Sequence, residues 1–118
     1  YIDDVVDATI LGLTVPGISG HAFNIGTGVA TDVLTVANTL KKCYGVDVPV
    51  TVSGNYRLGD IRHNYADISL ARKMLGFEPK WSFDAGIQQF TRWVDRQPVQ
   101  QDNYELSIRE MKDKGLYK

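Results

Sequence analysis

Glycine and proline punctuation most limits the folds open to this chain. Pro16-Gly17, Gly26-Thr27-Gly28, Gly45, Gly54, Gly76, Glu78-Pro79 and Gln97-Pro98 cut its 118 residues into short pieces, because each of these breaks ends an element or turns the chain. Between the breaks, helical periodicity dominates. Val6, Ile10 and Leu13 recur at i, i+4 and i+7, which predicts a first helix capped by Asp3 or Asp4. Thr31 or Asp32 caps a second helix, with Val33, Ala37, Leu40 and Tyr44 as its buried stripe and Gly45 as a left-handed C-cap. A third runs from about Ile68 to Leu75, capped by Asp67 and stopped by Gly76. A fourth begins at Ser82 and turns Phe83, Ile87, Phe90 and Val94 inward. Asp102 with Glu105 forms a capping box for a fifth, carrying Tyr104, Ile108 and Met111 on one face, with Gly115 near its end. Extended segments are scarce: His21 to Ile25, where Asn24 is expected to fix the following turn, and the β-branched Val48 to Val52. The expectation is an α/β chain, mostly helical, with four or five helices and two or three short strands. That is little sheet for so many amphipathic helices, which need another surface to pack on.

Composition narrows the setting. Hydrophobic residues make up 43% and charged residues 23%, ordinary values for a globular protein. The net charge of -1 supplies no basic excess for nucleic acid or an anionic membrane. No apolar run approaches the roughly 18 residues of a membrane span, and no signal peptide is visible; a cytoplasmic enzyme fits. Cys43 is the single cysteine, read as a small buried hydrophobe. His21 and His63 lack metal-ligand spacing and read as surface or hydrogen-bonded histidines rather than ligands. Tyr1 is not an initiator Met, and the chain opens directly on a helix; sequence upstream of it is expected.

Two motifs invite a chemical reading. Gly26-Thr27-Gly28, between a strand-like segment and a helix, resembles the opening of a dinucleotide fingerprint, G-x-G-x-x-G. Its sixth position is Thr31, where the fingerprint needs a glycine for close helix packing, so a tight turn is the better reading. The second motif lies in Gly54 to Tyr65, a polar stretch without period that reads as a functional loop. There Arg57-x-Gly59-Asp60-x-Arg62 joins planar guanidinium forks, suited to phosphate oxygens, to a carboxylate suited to sugar hydroxyls. Spacing alone leaves two readings level: a grip on a ribose and a pyrophosphate, or a salt-bridged surface cluster.

Four blocks then coincide in order: Tyr1-Ile2-Asp3-Asp4-Val5-Val6-Asp7-Ala8, Phe23-Asn24-Ile25-Gly26-Thr27-Gly28, Arg57-Leu58-Gly59-Asp60-Ile61-Arg62, and Ala66-Asp67 through Glu78-Pro79. Together they resemble the C-terminal landmarks of the extended short-chain dehydrogenase/reductase family, in its UDP-glucose 4-epimerase-like branch. The tail, with Asp102-Asn103-Tyr104-Glu105 and Lys114 to Lys118, is similar to dTDP-L-rhamnose 4-epimerase-type members. The resemblance implies that residues 1–96 are a nucleotide-sugar-binding portion and 97–118 a helical tail. It implies that Arg57 contacts the diphosphate and Asp60 the ribose, with Arg62 a support or second phosphate contact. It also implies that Asn64 borders the hexose pocket. Asn64 is small for a position where a large aromatic excludes N-acetylated sugars, so this wall alone is not expected to exclude a bulky C2 substituent; Tyr65 is placed to close the gap.

The departures matter too. No Tyr is followed by Lys four residues later, so the family's catalytic Tyr-x-x-x-Lys is absent and no catalytic residue is assigned. The resemblance places NAD on a Rossmann domain that precedes this segment and implies a homodimeric parent. The expected role is the substrate-binding part of an NAD-dependent 4-epimerase acting on a UDP- or dTDP-sugar, inactive by itself. A dehydratase or decarboxylase of the same family, or a non-catalytic nucleotide-sugar-binding module, are the other readings.

Overall fold

A computed structural model describes residues 1–99 and 101–118, so residue 100 of the expected tail lies outside the described residues. Five helices follow one another: α1 (Ile2–Thr14), α2 (Val33–Tyr44), α3 (Ser69–Leu75), α4 (Phe83–Val94) and α5 (Tyr104–Asp113). All five expected helices are present. The expected strands are not: among the described residues, the β pairing is an isolated antiparallel bridge between Arg57 and Tyr117. His21–Ile25 and Val48–Val52 lie outside helix and strand. An extended segment becomes a strand only when a neighbour completes its hydrogen-bond ladder, and neither segment has one among the described residues. The α/β expectation is therefore corrected to a helical unit with extended connections.

Local chemistry explains the helix ends. Asp32 accepts the Thr35 amide at 2.8 Å and the Thr35 hydroxyl at 2.7 Å, which holds its carboxyl below the usual range through first the side-chain and then the backbone hydrogen bond. Ser82 accepts the Ala85 amide at 3.2 Å. Asp67 accepts the Ser69 amide at 2.9 Å, one residue later than expected, since Ile68 is the N-cap of α3. Similarly, Asp102 accepts the Tyr104 amide at 2.8 Å, while Asn103 is the N-cap of α5. Gly45 and Gly76 close α2 and α3 in the left-handed conformation.

α1 departs from the expectation in two ways. Tyr1 is its N-cap, without a side-chain bond, so neither Asp3 nor Asp4 caps it. Asp4 instead is 5% exposed and accepts the backbone N–H groups of Lys80 at 2.9 Å and Trp81 at 3.2 Å. Lys80 adds an ion pair to Asp7 at 2.6 Å. The buried face is also not the one foreseen. Val6, Ile10 and Leu13 are exposed; the core is met by Ala8, with Leu11 and Val15 packed behind it. Residues 4, 8, 11 and 15 form their own i, i+4, i+7, i+11 stripe on the opposite side.

That stripe meets α3. Ala8, Ala71, Leu75 and Phe77 form the core, against which Ile18, Phe23 and Ile25 are partly buried. Phe77, 1% exposed, is its largest fully buried side chain. α2 packs against α4, but no α2 residue is fully buried: Val33 and Tyr44 of its expected stripe are exposed, and Cys43 is half-buried. Tyr1 packs against Trp81 with the rings tilted and their centroids 4.8 Å apart, and lies over Gly86 of α4, where an added Cβ would sit 3.1 Å from the Tyr1 Cβ. Asn24 reaches across to donate to the Asp67 carbonyl at 3.4 Å, instead of fixing its own turn.

Candidate functional site

Residues 54–65 form no helix, and a tight turn lies at their centre. The Asp60 amide donates to the Arg57 carbonyl at 3.2 Å, closing a four-residue turn. Gly59, its third residue, has φ +90°, the sign a type II turn demands there and a non-glycine side chain resists. This turn brings the Arg57 and Asp60 side chains together: Nε donates to Oδ2 at 2.9 Å. Both remain open to solvent, with side chains 61% and 52% exposed. An arginine carries five N–H donors in a planar fork, and this bond engages Nε. The other guanidinium donors and Asp60 Oδ1 are thus available to a ligand while the pair holds both side chains in place.

The other expected residues lie further along. Arg62 and Asn64 are exposed, and among the described residues Arg62 makes no ion pair. Asn64 and Tyr65 line a cleft of about 390 Å³ with Phe23, Asn24, Ile25 and Ala66. The structure therefore couples Arg57 to Asp60 directly and groups Asn64 with Tyr65 around a separate depression.

The glycine motif has a structural role. Gly28 has φ +72° and lies 3.4 Å from Ile68, measured to an added Cβ, while the same position on Gly26 would meet the Ala66 Cβ at 3.0 Å. The turn is thus filled by the chain's own side chains. The N-terminus of the following helix is occupied by the Asp32 carboxylate, which opposes a pyrophosphate there. These residues do not fit a dinucleotide.

Two features escaped the sequence reading. An open apolar cleft of about 630 Å³ lies between α1 and α4, lined mainly by Tyr1, Trp81, Phe83, Ile87, Phe90 and Trp93. Phe90 thus faces this cleft and is exposed, not inward as expected; the aromatic density of α4 was the available signal. The other feature is the pairing of the C-terminal residues with Arg57's own segment, for which the apolar Leu116-Tyr117 after Gly115 was the only hint.

Known proteins resemble this chain in sequence and in fold. The chain is 38% identical over 93 residues to dTDP-L-rhamnose 4-epimerase of Burkholderia thailandensis, covering 79% of this chain and 25% of that protein. It is 34% identical over 85 residues to UDP-glucose 4-epimerase of Caenorhabditis elegans, covering 72% and 24%. Among solved structures, it superposes with a TM-score of 0.68 and 34% identity on UDP-glucose 4-epimerase from Thermotoga maritima, crystallised with UDP-glucose, covering 81% and 31%. The chain belongs to the UDP-glucose 4-epimerase-like family. It spans about a quarter of the length of these curated relatives. No protein-family model matches it. Among the described residues, no helix of this family member is long and apolar enough to cross a membrane.

Proposed function

We propose that this chain is the nucleotide-sugar-binding part of an NAD-dependent nucleotide-sugar 4-epimerase. The observation that carries the reading is the Arg57–Asp60 turn, in which one bond aligns a guanidinium fork beside a carboxylate and leaves the ligand-binding edges of both in solvent. Arg57 takes the diphosphate, where paired N–H groups match phosphate oxygens. Asp60 accepts from ribose hydroxyls. Arg62 adds a second positive charge for the diphosphate, and Asn64 borders the hexose beside Tyr65. The T. maritima enzyme's crystallisation with UDP-glucose supports a nucleotide sugar as the ligand class.

In this reading the chain supplies binding energy remote from the reacting carbon, which positions the sugar and so contributes to turnover as well as affinity. The hydride acceptor is NAD, held by a Rossmann domain outside these residues, since the Gly26-Thr27-Gly28 turn does not fit it. The catalytic Tyr-x-x-x-Lys belongs to that domain as well.

Calorimetric titration of UDP and dTDP into the full-length protein tests the site. Arg57→Ala and Asp60→Ala are each expected to weaken binding by about tenfold or more, roughly 1.4 kcal/mol. Unchanged affinity in both variants rejects the assignment and leaves the turn as a salt-bridged surface.

A further inference from the structure

We propose that the segment after α5 is a strap that positions Arg57 for the nucleotide, and that Gly115 aims it; this rests on the reading of Arg57 and Asp60 above. α5 ends in a sharp reversal. The Gly115 amide donates to the Lys112 carbonyl at 2.9 Å and the Leu116 amide to the Met111 carbonyl at 2.8 Å, with Gly115 at φ +66°. This is the Schellman pattern, which needs a left-handed residue at that place. The chain emerging from it runs antiparallel to the start of the site loop. The Leu58 amide donates to the Leu116 carbonyl at 2.9 Å, the Tyr56 amide to the Lys118 carbonyl at 2.7 Å, and the Lys118 amide back to the Tyr56 carbonyl at 2.9 Å.

Arg57 lies between those bonds, opposite Tyr117. Residues so opposed in an antiparallel pair carry their side chains on the same side of the ribbon and close together. Tyr117 is itself held: it is half-buried, and the Lys112 ammonium lies 5.6 Å from its ring centroid. The backbone on both sides of Arg57 is thus tied to the segment after α5, while the guanidinium donors not bound to Asp60 face solvent. A loop ordered before the ligand arrives spares the binding step that ordering entropy. The tail's last residues act through Arg57 and are positioning residues.

The test uses the full-length protein, with UDP and dTDP as probes in calorimetry and amide exchange at Tyr56 and Leu58 as a readout of loop order. Deleting Leu116–Lys118 is expected to speed exchange at both amides and weaken nucleotide binding by about tenfold, without lowering the melting temperature of the α1–α4 body. Gly115→Val is expected to act in the same direction, and Gly115→Asn, which tolerates the left-handed conformation, to retain affinity. The deletion should cost little further affinity in an Arg57→Ala background, because both changes remove one interaction. Unchanged affinity in the deletion, while Arg57→Ala alone weakens binding, overturns the strap and leaves the site standing. Full additivity of the two changes overturns it too. An Arg57→Ala variant that binds like the wild type rejects the site itself, and the strap with it.

Discussion

Asp4 stands in the first turn of a helix, where a carboxylate ordinarily serves as a cap or as a charge facing the helix dipole. It does neither principally: it is buried and accepts two amides from residues 80 and 81, joining the start of the chain to the entry of α4. Removing it leaves both N–H groups of this part-buried site without their partner. Asp4→Ala is therefore expected to destabilise the full-length protein by about 2–3 kcal/mol, seen as a lower melting temperature with nucleotide affinity per folded molecule unchanged. Arg57 and Asp60 contrast with it. The sequence placed both in one polar loop, three positions apart, while the turn at Gly59 and the bond between the two side chains belong to the structure. Asp4's partners are 76 and 77 residues away, beyond any local pattern.

At the scale of elements, α2 and α4 were readable from their caps because a cap is closed by amides two or three residues on. Asp32 illustrates a consequence for pH. Its carboxyl is held below the usual range by Thr35, and a group whose folded pKa is depressed stabilises the fold above its unfolded value. That contribution is complete above about pH 4 and is lost as pH falls through the lowered folded value. Amide exchange at Thr35 is expected to rise on acidification in that window, and Asp32→Ala to make it fast and insensitive to pH beyond the intrinsic chemistry. The strands were misjudged for the complementary reason: His21–Ile25 and Val48–Val52 have strand-like composition, but pairing is a property of two segments. α1 was misjudged in its orientation. It is apolar on both faces, and periodicity alone identifies stripes without saying which one meets α3.

The whole molecule is open for its size. Its radius of gyration is 18.0 Å, against about 13.5 Å for a compact chain of this length. Its accessible surface is 9536 Å², against about 6,400 Å² for a folded monomer of this mass. Part of that surface is apolar: the outward stripe of α1 with Leu13 83% exposed, and the cleft lined by Trp81, Phe90 and Trp93. Surfaces of this kind bury themselves against other protein. Residues 1–118 expressed alone are expected to associate in sedimentation velocity, and Val6→Lys with Leu13→Lys to reduce that association. A sharp monomeric boundary for the unsubstituted chain would argue that these faces need no cover.

The sequence alone carries the helical segments, most of their ends and the grouping of Arg57 with Asp60 in one polar loop, because each depends on residues within a turn or two of one another. It also contained the ordered motifs that carry the family resemblance. Only the tertiary structure decided which face of α1 is buried, where Asp4 finds its partners, that the extended segments stay unpaired, and that the last three residues lie beside Arg57. Those outcomes depend on which distant segments become neighbours, and the free energy of such contacts is written in no single stretch of the chain.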